Sequence, residues 1–316
     1  MTPTLRDWAE LVRLPAAVTV PGDALVGLAA AGGPVRARSA LLPLASVSMY
    51  WAGMALNDWA DRDLDAVERP ERPVPSGRIS PAQALGAAAA LTATSVGLAA
   101  VGAGRRGAGT AVALAVAVWG YDLVAKPRPW APLAMSLTRA LDVSLGATGA
   151  RPETAGARTG LGLPPALLPA LTAGLHTLAV TDLSRGEVHG AARGQGTRAG
   201  VTTALAAATV APVLAGRVAG RSRRGQAPVA RTALVAQALL AGAATAAHSV
   251  PVIRAQAEAG RTGTGPDARR ATITGIKAFL PLQSALLSAL GRPVTAVALV
   301  GAGTVVSRLL RGGPTT

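Results

Sequence analysis

Acidic side chains crowd into one short stretch of an otherwise weakly charged sequence. Residues 57–68 read Asn-Asp-Trp-Ala-Asp-Arg-Asp-Leu-Asp-Ala-Val-Glu. On a helix, Asn57, Asp61, Asp65 and Asp58 fall at about 0°, 40°, 80° and 100°, so one face carries an amide and three carboxylates. Carboxylates so close together repel one another unless a cation lies among them, and ligands that are all oxygen favour Mg²⁺. The pattern therefore predicts a magnesium site.

A purely structural explanation of these charges is the alternative. The carboxylates would then form the solvated end of a helix and pair with nearby arginines, namely Arg62, Arg69 and Arg72. A calcium-binding loop is excluded, because it needs Asp and Asn at alternate positions, followed by Gly and a terminal Glu. The alignment of the carboxylates beside an apolar segment favours the metal site.

Basic side chains occur where they could stabilise a departing oxyanion. Lys126 is one of only two lysines among 31 basic residues and follows an apolar segment that ends near Tyr121. Arg139 lies within the next apolar segment, three residues before Asp142. An ammonium or guanidinium group can bind the oxygens of a phosphate leaving group. The alternatives are membrane anchoring for Lys126 and a structural ion pair with Asp142 for Arg139.

A second acidic motif occupies residues 182–190. Asp182 and Glu187 are five positions apart, which places them about 140° from each other on a continuous helix. They converge only if the helix ends near Gly186. His189 follows between small and apolar residues, and it is either a base or a solvated loop residue.

Long apolar segments must position these groups. The chain has 316 residues, of which 50% are hydrophobic and 15% charged, and its mean hydropathy is +0.38. A bilayer-spanning helix needs about 20 apolar residues, and nine such windows recur, with a further stretch at 293–310. The windows are 12–32, 39–57, 82–102, 108–124, 131–149, 162–181, 200–219, 229–251 and 272–290. We expect one all-α polytopic membrane domain, residues 1–316, with nine or ten transmembrane helices around a central cavity.

Composition also excludes several classes of site and partner. The chain has no cysteine, which excludes disulfides, thiolate metal sites and cysteine nucleophiles. The net charge of +15 lies mostly in short connectors, which indicates a lipid bilayer and phosphorylated substrates, and no nucleic acid, as partners. Asp7, Glu10 and Arg13 interrupt the first segment, so we expect no signal peptide.

Lysine and arginine are distributed unequally between alternate connectors. Fourteen lie in the set of connectors that includes both acidic motifs, and ten lie in the other set. The positive-inside rule places the first set in the cytoplasm. We expect a multi-pass protein of the cell membrane with its active site facing the cytoplasm.

The first acidic motif, residues 57–80, resembles a known family signature. Asn57-Asp58-x-x-Asp61-x-x-x-Asp65 is followed at 72–80 by Arg-Pro-Val-Pro-Ser-Gly-Arg-Ile-Ser. This is similar to the first aspartate-rich motif of the UbiA prenyltransferase superfamily and the turn that trails it. The resemblance implies a membrane prenyltransferase in which these four residues hold Mg²⁺, and the metal binds the diphosphate of an isoprenoid donor.

Residues between the two acidic motifs resemble the same family. Tyr121-x-x-x-x-Lys126 is similar to its Tyr-x-x-x-x-Lys segment, and Arg139 matches a basic position in the following helix. The resemblance implies that these three residues take part in catalysis. It also implies a diphosphate site made of basic side chains, namely Arg62, Arg69, Arg72, Lys126 and Arg185.

The second acidic motif departs from the family pattern of two aspartates four residues apart. Leu183 stands at the first position and Glu187 at the second, and the resemblance implies that Asp182 and Glu187 complete the metal site. The motif and residues 276–283 resemble a divergent branch called EboC-like, whose acceptor the sequence does not identify. The altered motif leaves a transporter or binding protein on the same fold as the alternative to a transferase.

Overall fold

The computed structural model describes residues 2–32, 37–150, 164–223 and 230–309, and in these ranges every regular element is helical. This confirms the all-α fold. The helices are α1 (Leu5–Leu11), α2 (Pro21–Ala31), α3 (Leu41–Ala60), α4 (Arg62–Glu68), α5 (Pro81–Gly120), α6 (Ala131–Ala147), α7 (Leu167–Ser184), α8 (Gln195–Ala208), α9 (Val210–Arg223), α10 (Arg231–Thr262), α11 (Gly265–Lys277), α12 (Phe279–Ala289) and α13 (Pro293–Leu309). A π-helical turn, Tyr121–Ala125, follows α5.

Capping boxes in the sequence fix the start of two helices beside the first acidic motif. Thr4 accepts a hydrogen bond from the backbone of Asp7, whose side chain accepts one from the backbone of Thr4. Ser80 and Gln83 form the same reciprocal pair at the start of α5. Such a cap stabilises a helix by about 1 kcal/mol. The chain therefore leaves the first acidic motif in a defined direction.

Helix α5 folds back on itself at Gly104. The φ angle of 67° at this residue favours glycine. Trp119 Nε1 donates to Thr92 Oγ1 over 3.1 Å, although 27 residues of straight helix would separate them by about 40 Å. The predicted windows 82–102 and 108–124 are therefore the two legs of one hairpin, and α3 packs against it.

Glycines bring α2 and α6 into backbone contact. A Cβ on Gly27 would lie 1.9 Å from Val143 O, and a Cβ on Gly146 would lie 2.0 Å from Ala24 O. Membrane helices pack closely where small residues let their backbones approach. This contact holds the first turns of α2 against α6, where a buried ion pair forms.

Within the described ranges, five helical stretches are long and apolar enough to cross a bilayer: Leu14–Ala31, Ala37–Ala60, Pro81–Ala125, Gln195–Ala219 and Arg231–Thr262. Pro81–Ala125 contains both legs of the hairpin, and Pro293–Val306 is a shorter apolar helix. Nine or ten crossings stay a prediction. The windows 162–181 and 229–251 begin, and 293–310 ends, outside the described residues. Four arginines counted for orientation also lie outside them: Arg36, Arg151, Arg158 and Arg224.

The window 272–290 is predicted as one span, but the structure divides it. Helix α11 ends at Lys277 and α12 begins at Phe279. Pro281 has no N–H to donate to the carbonyl of Lys277, and its ring crowds that carbonyl. The break exposes backbone carbonyls to side chains of neighbouring helices.

Candidate active site

The first acidic motif lies at the junction of α3 and α4. Asp61 separates the two helices, yet its N–H donates to Asn57 O over 2.9 Å, and the N–H of Asp65 donates to Asp61 O over 2.8 Å. These bonds continue the i to i−4 pattern across the junction. Asn57, Asp61 and Asp65 therefore follow one another at intervals of about one turn, as the helical spacing predicts.

Arg72 joins two buried carboxylates of this motif. Its Nη1 lies 2.5 Å from Asp65 Oδ2 and 3.6 Å from Asp58 Oδ1. Arg69 Nη1 lies 3.5 Å from the other oxygen of Asp65. Asp58 and Asp65 are only 2% and 0% exposed, and buried carboxylates are strongly destabilising unless a cation pairs with them. The arginines supply that charge. Arg62 instead lies 3.6 Å from the exposed Asp63.

Arg13 is a third basic partner that the sequence analysis did not assign to the site. Its Nη2 donates to Asp58 Oδ1 over 2.9 Å and to Asn57 Oδ1 over 3.3 Å. Arg13 adopts a left-handed backbone with φ 48°, which is uncommon for a residue with a side chain. An arginine at the start of the first apolar window was the available signal, but its partners lie more than forty residues away.

The π-helical turn brings Lys126 and a further carboxylate, that of Asp122, to the first acidic motif. Lys126 N–H donates to Tyr121 O over 2.9 Å, five residues back, which defines the π turn. The ammonium group of Lys126 contacts the carboxylate of Asp61. Asn57 Nδ2 donates to Asp122 Oδ1 over 3.0 Å. Asp122 is a further residue that the sequence analysis missed.

The second acidic motif begins at the end of α7. This helix ends at Ser184, which meets the condition for Asp182 and Glu187 to converge. Asp182 Oδ2 lies 3.6 Å from Arg198 Nη2, and Glu187 lies in the following turn. Leu183 is 1% exposed and packs in an apolar cluster with residues of α8, α10 and α11. Position 183 is therefore a packing position in this protein.

A hydrogen bond links the second acidic motif to the connector that follows the π-helical turn. Arg185 Nη1 donates to Arg128 O over 2.8 Å, and Arg128 follows Lys126 by two residues. A cavity of about 240 Å³ lies beside Asp182. Its lining includes Pro132, Leu133, Leu178, Arg198 and Thr202. The segments of both motifs are thus neighbours, but no direct contact joins their carboxylates in the described part of the chain.

The six predicted metal ligands do not form one cluster. Among the described residues, no three carboxylate or histidine side chains are grouped so that they could hold a metal ion. The physical reason is that basic side chains already neutralise the carboxylates of the first motif. That motif still fits Mg²⁺, because its donors are all oxygen and a single nitrogen of Arg72 lies within 3.6 Å of both Asp58 and Asp65. Their assignment as ligands stays a prediction.

Arg139 lies apart from both acidic motifs. Its Nη1 is 2.6 Å from Asp23 Oδ2, and Gln283 Nε2 donates to the other oxygen of Asp23 over 2.8 Å. Asp142 instead accepts a hydrogen bond from Ser46 over 2.6 Å. The ion pair proposed as the alternative for Arg139 therefore exists, but its partner is Asp23.

Arg78 joins α1 to the turn at the end of the first acidic motif. It donates to Asp7 Oδ1 over 2.7 Å, to both oxygens of Glu10 over 2.8 and 2.9 Å, and to Glu71 O over 2.6 Å. Hydrogen bonds from Thr4 and then from Arg78 lower the pKa of Asp7 to about 2. In the sequence, Asp7 and Glu10 stand out only as breaks in an apolar segment, and the structure gives them a common partner in Arg78.

Comparison with known proteins places these features in a family. The sequence model of the UbiA prenyltransferase family matches residues 22–248. Over 93 residues, the chain is 41% identical to digeranylgeranylglyceryl phosphate synthase of Natronomonas pharaonis, covering 29% of this chain and 34% of that one. Over 94 residues, it is 38% identical to protoheme IX farnesyltransferase of Gluconacetobacter diazotrophicus, covering 29% and 30%. The chain therefore matches about a third of the length of these curated relatives.

Solved structures share the fold over most of the chain. A structure of digeranylgeranylglyceryl phosphate synthase has a TM-score of 0.58 and 16% identity, and covers 92% of this chain and 99% of that one. A UbiA homologue from Archaeoglobus fulgidus bound to GPP and Mg²⁺ has a TM-score of 0.54 and 14% identity, covering 86% and 99%. At these identities the likeness establishes the fold alone.

Proposed function

The chain belongs to the UbiA prenyltransferase family, and from this membership we propose that it transfers an isoprenoid group from its diphosphate to an acceptor in a Mg²⁺-dependent reaction. The observation that carries the proposal is the charge pairing in the first acidic motif. Buried carboxylates there contact basic side chains that are themselves partly exposed. Such pairs can exchange partners when an anion and a divalent cation arrive together.

The basic side chains are placed to receive the diphosphate. Arg72, Lys126 and Arg13 are 21%, 31% and 34% exposed, whereas Asp58 and Asp65 are almost fully buried. The exposed partner is the one that can turn towards a bound anion. Arg69 contacts Asp65, and Arg185 contacts the connector that follows Lys126. Guanidinium and ammonium groups bind diphosphate oxygens through charge-assisted hydrogen bonds.

The carboxylates released from these pairs are the proposed metal ligands. Asn57, Asp58, Asp61 and Asp65 would hold Mg²⁺, with Asp182 or Glu187 from the second motif opposite. When bound, the metal supplies positive charge to the departing diphosphate. Asp122 accepts a hydrogen bond from Asn57 Nδ2. The amide oxygen of Asn57 therefore points away from Asp122 and towards Arg13.

The transfer breaks one bond and forms another. The bond between the allylic carbon and the diphosphate oxygen breaks with its electron pair on oxygen, and Lys126 and the arginines stabilise that charge. A nucleophilic atom of the acceptor then bonds to the allylic carbon and loses its proton. Tyr121 begins the π-helical turn that brings Lys126 to Asp61. Arg139 is paired with Asp23 and does not share this task in the observed arrangement.

The proposal also includes the nature of the donor and the side of the membrane that the active site faces. The curated relatives are named for prenyl transfer, and a solved homologue is bound to GPP and Mg²⁺, which supports an isoprenoid diphosphate as donor. The excess of basic residues on the side of both motifs supports an active site facing the cytoplasm.

A binding or transport protein on the same fold is the second candidate. It is favoured by Leu183, which occupies a packed apolar position where family members carry a carboxylate. A transporter would bind the donor without releasing diphosphate. Turnover therefore separates the two candidates.

The test is Mg²⁺-dependent release of diphosphate from geranyl, farnesyl and geranylgeranyl diphosphates by the purified protein, with a panel of acceptors. We expect Asp61→Ala to lower the rate by about 100-fold or more, because Lys126 and the metal lose their shared partner. Asp63→Ala is the matched control, since its side chain is 89% exposed and pairs with Arg62 alone among the described contacts. Metal-independent release, or equal loss in both variants, contradicts the transferase; donor binding without release supports the second candidate.

A further inference from the structure

A group of buried polar side chains lies inside the bundle, away from the first acidic motif. We call it the inner polar cluster, and it consists of Asp23, Arg139, Asp142, His176, His248 and Gln283. On α3, Ser46 contacts Asp142 eleven residues before Asn57, which corresponds to about 16 Å along the helix. On α7, His176 lies six residues before Asp182, or about 9 Å. The cluster is therefore deeper in the bundle than both acidic motifs.

An ion pair neutralises the basic group of this cluster. Arg139 lies 2.6 Å from Asp23, and Gln283 Nε2 donates both to Asp23 Oδ1 over 2.8 Å and to Thr19 O over 2.7 Å. Because both partners of Gln283 can only accept, the orientation of its amide group follows from the contacts. Asp142 follows Arg139 by one turn of α6. An incoming anion would thus find the only guanidinium group of this cluster already paired with Asp23.

Aromatic contacts connect this ion pair to two histidines. The Cζ atom of Arg139 lies 4.1 Å from the ring centre of Phe279. His176 packs edge-on against Phe279 at 4.5 Å and against His248 at 4.6 Å between ring centres. Both histidines have 0% exposure. The ion pair and the histidines therefore form one contiguous group.

The hydrogen bonds of the histidines define their tautomers. His176 Nε2 lies 3.0 Å from Gly275 O, and His248 Nδ1 lies 3.2 Å from Ala278 O. A carbonyl oxygen only accepts, so each of these nitrogens carries the proton. In the neutral rings, the other nitrogens are acceptors. One nitrogen of each histidine binds a carbonyl oxygen beside the break between α11 and α12. The other nitrogen of each ring has no such structural role.

Four buried polar atoms of the cluster have no hydrogen-bond partner among the described residues. They are His176 Nδ1, His248 Nε2, Asp142 Oδ1 and Gln283 Oε1. Their residues are at most 6% exposed. Buried polar groups of folded proteins are nearly always hydrogen-bonded, so such a concentration indicates a partner rich in donors.

We propose that the inner polar cluster binds the acceptor, and that this acceptor is an uncharged molecule with several hydroxyl groups, a phenol or a polyol. Hydroxyl groups both donate and accept hydrogen bonds, so they can pair with all four atoms. A carboxylate or phosphate group supplies no donor, and the guanidinium group that could bind it is already paired with Asp23. The inference rests on the proposed function, because it assigns the second substrate of that same reaction.

Binding of matched probes tests the charge selectivity without donor or metal. The first pair is 4-hydroxybenzyl alcohol and 4-hydroxybenzoate, and the second is inositol and inositol 1-phosphate, measured by calorimetry on the purified protein. We expect the neutral member of at least one pair to bind about threefold to tenfold more tightly than its anionic counterpart, the effect of one hydrogen bond or more. Preference for the anionic members, or no binding of either neutral probe, overturns the proposal.

Variants test whether the cluster is the place of binding. His176→Phe keeps the ring but removes the acceptor nitrogen, and it should weaken binding of the neutral probe. His189→Phe, at an exposed histidine, is the matched control and should not. Asp142→Asn is a second variant that keeps the shape of the side chain. If its amide oxygen accepts the hydrogen bond from Ser46, its NH₂ group takes the place of Oδ1. Equal binding by wild type and both cluster variants overturns the assignment.

One more variant separates this proposal from the proposed function. Asp61→Ala should abolish diphosphate release and leave binding of the neutral probe unchanged, because Asp61 lies in the first acidic motif. If the wild type binds the neutral probe but never releases diphosphate, the inner polar cluster keeps its assignment as a binding site and the transferase fails. If release occurs and no neutral probe binds, the transferase stands and the cluster loses its assignment.

Discussion

The first acidic motif and the inner polar cluster both pair carboxylates with arginines, but they differ in which partner reaches the surface. In the motif, Asp58 and Asp65 are buried while Arg72 is 21% and Arg69 48% exposed. In the cluster, Asp23 is 1% and Arg139 only 17% exposed, with Gln283 holding the carboxylate. Pairs of the first kind can change partners, and pairs of the second kind are fixed. This difference is why we propose a charged ligand for the first acidic motif and a neutral one for the inner polar cluster.

The largest expected effect comes from breaking the fixed pair. Asp23→Leu leaves the guanidinium of Arg139 buried without a counter-charge, and we expect the protein to lose about 3–5 kcal/mol of stability. Denaturant or thermal unfolding in detergent measures this loss. The double variant with Arg139→Leu should recover most of it, since replacing both partners removes the stranded charge. A double variant no more stable than Asp23→Leu alone would show that Asp23 and Arg139 are not each other's main partners.

Lys126 tests the exchangeable kind of pair through activity. Lys126→Met should slow diphosphate release by about 10²- to 10³-fold, the effect of one lost electrostatic contact to a leaving group. Its unfolding should change by less than about 1 kcal/mol, because partly exposed ion pairs contribute little. Lys277→Met, at the exposed second lysine, is the control and should keep full activity. A large loss of stability in Lys126→Met would make its contact with Asp61 structural.

Arg72 provides a test of whether Mg²⁺ can replace an arginine as the cation beside Asp65. Arg72→Ala removes the nearest cation from Asp65 and should destabilise the protein by about 1–3 kcal/mol in the absence of Mg²⁺. Saturating Mg²⁺ should return up to about 2.7 kcal/mol at 100 times its dissociation constant. Thermal unfolding with and without the metal measures both, with Arg62→Ala as the control. Equal metal stabilisation of both variants would contradict the exchange of cations.

The smallest expected effect concerns the contact between α1 and Arg78. The pKa of Asp7 is about 2, against an ordinary value of 3.8, so its contribution to stability is present above about pH 4 and is lost as the pH falls towards 2. Asp7→Asn should remove this part of the pH dependence and leave the rest. Unfolding midpoints between pH 2 and 5 check it, and identical profiles for both proteins would refute the role of Asp7.

The sequence predicted those features of the fold and site that depend on local spacing. Asn57, Asp61 and Asp65 share a face because the helical repeat alone aligns them. The hairpin of α5 was predicted as two windows, because apolar length is a local property. The same windows missed the break before Phe279, since Pro281 lies within a segment whose hydropathy stays high.

Long-range partners could not be predicted in the same way. Asp23 and Arg139 are 116 residues apart, so no spacing rule joins them, and Asp142 was the nearer carboxylate in sequence. Arg13 and Asp122 reach the first acidic motif only because α3 packs between their segments. Leu183 could be recognised as a departure from the family pattern, but only packing reveals that its side chain faces the core.

The π-helical turn Tyr121–Ala125 makes chain length as important as residue identity at one point of the site. It holds one residue more than the α-helical turn it replaces. A deletion of a single codon within it would turn everything that follows by about 100° relative to α5. Lys126 would then leave Asp61 although no residue that contacts substrate had been replaced. For genetic variation in this protein, a one-residue change of length here should therefore be as harmful as the loss of a charged side chain.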